Sequence, residues 1–302
     1  MRNLPSLKQL QYFLALNEHQ HFGRAAAACF LSQSAFSHAI RELEETLGAC
    51  LVDRTNRSVV ITNTGREVAV QARLCVQDAE SLLDLTRTDG APLTGKLVLG
   101  VIPTIAPFVL PSIIPALRGE HPKLELYLHE DKTASLEESL ADGSIDAALL
   151  ALPWQFRNAE TLELFDDPFH LAYCRNTKHV DPENFRVNRL TSPSILLLQD
   201  GHCLRDHALD ACNVKNLDTV NRFSASSLLT LIEMVDADLG VTFIPEMAIH
   251  SGLLKGTRVK TKPLPKGNQR GIGLVWRKNS GREKDFRILG EFIRRHAAPH
   301  QQ

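Results

Sequence analysis

The stretch Phe22-Gly-Arg-Ala-Ala-Ala-Ala-Cys29-Phe30-Leu31-Ser32, running on to Gly48, decides how this chain folds. Four consecutive alanines predict a short helix that lets a neighbour approach closely, and Phe30-Leu31 breaks it. Ser32 then offers an N-cap, since its hydroxyl can accept a bond from an early helical amide. From there to Gly48 the residues Phe36, Ile40, Leu43 and Leu47 recur at intervals of four, three and four, one face of an α-helix. Upstream, Leu7, Leu10, Phe13, Leu14 and Leu16 predict a preceding helix. Short helix, tight turn and second helix make a helix-turn-helix pattern, whose second helix enters the major groove of double-stranded DNA. Its polar face carries Gln33, Ser34, Ser37, His38 and Arg41. Gln33 suits adenine, Arg41 suits guanine or phosphate, and the serines serve either. The helix N-terminus is itself a phosphate site.

Working outward, Leu51-Val-Asp-Arg54 and Ser58-Val-Val-Ile61 read as strands of a hairpin with Arg54 and Arg57 near its tip. Such arginines grip the DNA backbone and carry no sequence information. Thr64 is expected to cap a long helix running to about Thr86, along which Val68, Ala72, Cys75, Ala79 and Leu82 repeat as a coiled-coil seam. A seam on an isolated helix wants a partner helix, so a homodimer is expected. Thr88–Gly95 is a turn-rich linker. Beyond it strand and helix patterns alternate: strands at Leu97–Ile102, Leu124–His129, Ala147–Leu152, His170–Tyr173, Ile195–Leu198, Val241–Ile244 and Ile272–Trp276, with helices between them and a last one over Glu283–Ala297. That alternation implies an α/β sheet with ligands near the carboxyl ends of strands, where Thr104 lies.

Composition narrows the class. Over 302 residues the net charge is −1, so DNA binding must come from a local surface and not from a global basic field. With 43% hydrophobic and 23% charged residues the chain reads as globular. Neither a leader peptide nor an apolar run long enough for a membrane is visible, so a cytoplasmic protein without membrane contact is expected. The six cysteines do not pair as CxxC, and neither a metal nor another cofactor is expected.

Two of those cysteines carry the chemistry. Gly201-His-Cys-Leu-Arg-Asp206 sets Cys203 beside His202 and Arg205, groups able to stabilise a thiolate, and Cys212 follows nine positions on. A thiolate is the form that attacks oxidants, and a resolving thiol turns the resulting sulfenic acid into a disulfide. If Leu204–Ala211 is helical, the two Cα atoms lie roughly 13 Å apart. A disulfide needs them within about 7 Å. Bridging would therefore unwind the segment. Cys29, Cys50, Cys75 and Cys174 read as packing residues.

Residues 1–90 resemble LysR-type transcriptional regulators, on Leu7…Phe13, Phe22-Gly-Arg-Ala-Ala, Leu31-Ser-Gln-Ser34, Ser37, Ile40…Leu43-Glu44…Leu47-Gly48, Leu51…Arg54 and Thr62…Thr64-Gly65. Ser34 departs from the family, which usually has proline there. The remainder resembles the peroxide-responsive members, on Gly100…Ile102-Pro-Thr104, Leu124-Glu125…Tyr127-Leu-His-Glu130, Asp200-Gly-His-Cys-Leu-Arg-Asp206, Cys212 and Arg270…Ile272-Gly-Leu-Val275. The resemblance implies an α+β protein: a winged helix-turn-helix at 1–63, a linker and dimerisation helix at 64–88, and a two-lobed α/β regulatory domain of the periplasmic-binding-protein type at 89–302. Lobe I would span about 95–166 and 270–302, lobe II about 167–269.

It further implies no enzyme but a transcriptional activator that detects hydrogen peroxide, with Cys203 as peroxidatic and Cys212 as resolving thiol. Thr104 and Thr133 would orient peroxide, Arg270 would hold negative charge near sulfur, and Asp206 would organise donors, with Arg205 beside them. His202 either raises the thiolate population as a cation or simply packs. Implied partners are promoter DNA, a homotetramer, RNA polymerase and a glutaredoxin-type reductant. Two other readings compete: a LysR-type regulator answering a small organic anion held by Thr104 and Arg270, and a thiol enzyme with Cys203 as nucleophile and His202 as base.

Overall fold

Three short helices bury the apolar stripes that open the chain. The computed structural model describes residues 3–54, 59–85, 92–186, 193–212, 214, 216–265 and 267–297. Helix α1 (Leu7–His19) starts at a capping box, in which the Ser6 hydroxyl accepts from the Gln9 amide and the Gln9 side chain accepts from the Ser6 amide. Helix α2 (Phe22–Ala28) is capped by His21, whose Nδ1 accepts from the Gly23 and Arg24 amides. In the turn that follows, Phe30 takes φ +57° and is 97% exposed. Helix α3 (Gln33–Leu47) begins as expected at Ser32, which accepts from the Ala35 amide, and ends at Gly48 with φ +66°. Phe13, Leu16, Ala25, Phe36, Ile40 and Leu43 form the core of this unit, while Leu47 stays at its surface.

Strands β1 (Val52–Arg54) and β2 (Val59–Ile61) pair antiparallel as the hairpin reading requires. Arg57 lies outside the described residues, and of Arg54 only the backbone is described. Helix α4 (Asn63–Leu85) starts two residues early, because Thr62 supplies the cap instead of Thr64: its hydroxyl accepts from the Gly65 amide and donates to the Cys50 carbonyl. The expected seam divides in two. Ala72 joins Ala69 and Val76 in the unit's own core, whereas Cys75 and Leu82 are exposed.

The chain splits into two compact units, the first holding residues 1–90 with 141–144 and 280–282, the second the rest. In the second, β3 (Gly95–Val101), α5 (Ala106–Glu120), β4 (Leu124–Glu130), α6 (Thr133–Ala141) and β5 (Ala147–Leu152) alternate, and β3 runs parallel to both β4 and β5. Strand β6 (Ala159–Cys174) is far longer than the expected His170–Tyr173. Glu160, Glu163 and Asp166-Asp167-Pro168 hide it from any hydrophobic pattern. It is held by partners: β11 (Gln269–Arg277) along Ala159 to Pro168, then β9 (Thr242–Pro245) and β10 (Val259–Pro263) along Phe169 to Cys174. So β6 passes from one lobe's sheet to the other's at Pro168–Phe169, and β11 returns from Gln269.

The second lobe adds the parallel pair β7 (Ile195–Leu198) and β8 (Val220–Ala225), with helices α7 (Cys203–Ala211), α8 (Leu228–Asp236) and α9 (Glu246–His250). Helix α10 (Glu283–Ala297) closes the first lobe. The sequence misses β8, α9 and β10 for local reasons. Most of β8 is solvent-facing, α9 has one turn, and lysines interrupt the edge strand β10. Each lobe keeps its own core, one around Leu99, Leu149, Trp276 and Phe292, the other around Phe169, Leu196, Ile232 and Phe243. Among the described residues no helix is long and apolar enough to cross a membrane.

Candidate functional site

Strand β7 ends at Leu198, and the loop Gln199–His202 turns the chain into α7. The Gln199 amide is tied to the Ala225 carbonyl, and Gly201 takes φ +90°. A Cβ at Gly201 would meet only the flexible Lys132 side chain, at 3.2 Å, so glycine here answers chiefly the backbone demand. Lys132 reaches across from the start of α6 and donates to the Asp200 carbonyl at 3.2 Å. Cys203 is the first residue of α7, at a helix N-terminus, and is only 6% exposed.

Around Cys203 the structure gathers some of the expected residues and redirects others. Thr133, the first residue of α6, is buried beside the sulfur, and its Oγ1 has no conventional hydrogen-bond partner. Arg270 on β11 is fully buried. Its Nε donates to Asp167 Oδ2 at 3.0 Å, Nη1 to Thr104 Oγ1 at 3.0 Å, and Nη2 to the Thr104 carbonyl at 3.0 Å. Burial pushes the Cys203 thiol above its ordinary range, with Thr133 and Arg270 pulling it back and Asp206 adding to the rise.

Neither sequence neighbour of Cys203 is placed as a cation for the sulfur, and for His202 this leaves packing, one of its two expected alternatives. Arg205 pairs with Asp200 at 3.0 Å and is engaged there, away from the role of sulfur cation. His202 has its ring pKa lowered by burial and by Lys132, so it stands neutral near pH 7 and supplies no positive charge. Adjacent positions in sequence diverge at the start of a helix, where only residues three or four apart share a face. The cation near the sulfur is Arg270, 67 positions away in the chain. Asp206 is exposed on α7.

Cys212 caps the other end of α7, buried in the second lobe's core, and burial pushes its thiol up to about 12. Cys203 packs instead into the first lobe's core. Nine residues of helix separate the two by about 13 Å, and both are free thiols.

Three neighbours escaped the sequence reading. Asp167 pairs with Arg270 and accepts from the Met247 amide at 3.1 Å; burial raises its carboxyl pKa against the pull of Arg270. It lay in the part of β6 that no pattern revealed. Lys132 had no signal. His207 did have one, its spacing of four from Cys203 on a helix.

The polar residues of α3 share one surface. Gln33, Ser34, His38 and Arg41 are exposed and Ser37 is half-buried. His38 lies 3.6 Å from Glu42, and Arg41 Nε reaches the Ser37 carbonyl at 3.4 Å. Among the described residues no cluster of His, Cys, Asp and Glu could hold a metal ion.

Residues 7–66 match the family model described as bacterial regulatory helix-turn-helix protein, lysR family, and residues 90–298 match the LysR substrate binding domain. The chain is 38% identical to the HTH-type transcriptional regulator EstR of Acinetobacter baylyi, covering 98% of each protein. It is 36% identical to a hydrogen peroxide-inducible genes activator of Dickeya chrysanthemi, over 98% of this chain and 97% of that one. In structure it is similar to full-length OxyR from Pseudomonas aeruginosa, solved as a cysteine-to-aspartate variant, with a TM-score of 0.81 at 31% identity over 96% of this chain and 98% of that one. The chain is therefore a member of the LysR family, an OxyR-like DNA-binding transcriptional regulator and not an enzyme.

Proposed function

We propose that this regulator senses hydrogen peroxide through Cys203 and switches by joining Cys203 to Cys212. One observation carries the reading. The two thiols sit at opposite ends of one nine-residue helix and in the cores of different lobes. The Cys203 thiolate attacks one peroxide oxygen, the O–O bond breaks, and the other oxygen leaves as water with a proton, giving a sulfenic acid. Thr104 and Thr133 orient the peroxide, and Arg270 stabilises charge beside the sulfur. The Cys212 thiol then displaces the sulfenic hydroxyl as water, forming the disulfide.

Because the bridge cannot span an intact α7, one sulfur must leave its core, and the helix must unwind. Closing a ring of this size removes about 2–3 kcal/mol of chain entropy from the open forms, enough to bias two packings of a lobe. The exposed Cys75–Leu82 side of α4 supports dimerisation, and a tetramer rearranged by the switch would change how the α3 helices meet promoter DNA and RNA polymerase. The protein works in the cytoplasm, where a glutaredoxin-type dithiol supplies the two electrons that reopen the bridge.

The organic-anion alternative fits less well, since the Arg270 guanidinium already donates to Asp167 and to both oxygens of Thr104. The thiol-enzyme alternative lacks its base, because His202 caps the helix start without bonding to the sulfur. The deciding experiment is peptide mapping of the full chain after one equivalent of peroxide. A linked 203–212 peptide pair, lost together with the peroxide-dependent DNA footprint in Cys203→Ser, is the expected result. Free thiols at both positions would overturn the reading.

A further inference from the structure

The switch as described leaves one buried group on α7 without a task. His207 follows Cys203 by one helical turn, so the two side chains leave the same face of α7. Its ring is buried, and Nε2 stands 3.2 Å from the carbonyl oxygen of Pro153, just beyond β5. A carbonyl can only accept, so Nε2 carries the ring proton and Nδ1 is bare. Nδ1 is buried as well, with no hydrogen-bond partner. Burial, helped by Arg270, lowers the ring pKa despite the Pro153 carbonyl and the carboxylates of Asp206 and Asp210, which act the other way. The ring is thus a neutral single donor near pH 7.

The bond joins two bodies. Leu204 and Ala208 seat α7 in the second lobe's core, whereas Pro153 directly follows a strand of the first lobe's sheet. A net hydrogen bond of this kind is released only when α7 moves relative to Pro153, the movement that bridging Cys203 to Cys212 demands. We propose that His207 is the latch of the switch: its bond to Pro153 holds α7 helical and gates the closure of the disulfide. The inference rests on the peroxide reading and assigns a positioning residue to it. His207 takes no part in the attack on peroxide. In the gated step the Cys203 sulfenic acid and the Cys212 thiol become a disulfide and one water, so no further oxidant or reductant enters.

Rapid mixing of the reduced full-length protein with peroxide separates two phases, one that scales with peroxide (sulfenic acid formation) and one that does not (closure). His207→Leu keeps the bulk and removes the donor. It should speed closure about fivefold, the effect of one hydrogen bond of typical net strength, and leave the first phase unchanged. His207→Gln, with an amide that can donate to the same carbonyl, should restore closure to the wild-type rate. If the leucine variant fails to fold, His207→Asn, whose shorter amide does not reach, takes its place.

Amide hydrogen exchange across α7 in the reduced protein reads the latch without any oxidation. It should accelerate in the leucine variant and recover in the glutamine variant. Closure at the wild-type rate or slower in His207→Leu, or a glutamine variant as fast as the leucine one, would overturn the proposal. Should the wild type form no bridge, the peroxide reading fails; exchange then still decides whether His207 fastens α7, and unaltered exchange sinks the latch too.

Discussion

The sulfur of Cys203 sits in a balance of opposing effects, and single residues tip it. Burial favours the neutral thiol, while the Thr133 hydroxyl and the Arg270 guanidinium favour the anion. Of these two, the Thr133 hydroxyl weighs more on the sulfur, so Thr133→Val should slow sulfenic acid formation about tenfold, near the value of a hydrogen bond to a charged atom. Stopped-flow kinetics against peroxide checks this, and the deficit should shrink as pH rises and the thiolate forms unaided. A different single-residue effect lies in the DNA-binding unit. Phe30 holds a left-handed backbone with its side chain in water, a conformation that costs a bulky L-residue about 1–2 kcal/mol. Phe30→Asn, at home in that region and free of the exposed ring, should raise stability by up to about 1 kcal/mol, seen as slower site-resolved hydrogen exchange across residues 1–90.

Elements divide their labour. Helix α3 buries Phe36, Ile40 and Leu43 and presents Gln33, Ser34, Ser37, His38 and Arg41 on the other side. Gln33 is exposed in the first turn, the position from which a side chain of a recognition helix would read a base edge. Gln33→Ala should weaken binding to a selected site by about 1–3 kcal/mol while leaving non-specific affinity and the salt slope unchanged. Equal losses on specific and random DNA, measured by titration at two salt concentrations, would assign Gln33 to the backbone instead. Helix α7 works differently. Its nine residues space Cys203 from Cys212, and under the proposed switch its stability would be the property under control. That much of α7 was legible, because Leu204–Ala211 has helical composition and Gly201 marks the turn before it. What α7 packs against was not.

At the scale of the whole molecule, pH acts through buried imidazoles. His202 and His207 both have ring pKa values below the ordinary 6.5. Between the folded and unfolded values the unfolded chain binds more protons, so stability rises with pH there. Their contribution is complete above about pH 6.5 and is lost as pH falls toward the folded values. The melting temperature of the full chain should drop as pH falls from neutral into the acid range, and His207→Gln should flatten part of that drop. Asp167, whose carboxyl is raised by burial, acts with the opposite sign, so the comparison of wild type with His207→Gln isolates the imidazole. A drop identical in both proteins would clear His207 of the effect. The proposed switch would act at the same scale: β6 and β11 link the two lobes, and a disulfide that drew one thiol out of its core would repack one lobe against the other.

From the amino-acid order alone came the helix-turn-helix, the hairpin, the alternation of strands and helices, and the pair of cysteines nine apart. Each is written in a local period or a short spacing, which neighbours along the chain suffice to specify. The tertiary structure alone decided that Arg205 turns to Asp200, that Asp167 completes the Arg270 pair, that the two sulfurs belong to different cores, and that half of the α4 seam turns inward. These depend on strands hidden by their own polar residues and on side chains that meet from positions far apart. Their energies arise from burial and pairing across the fold, which no stretch of sequence contains.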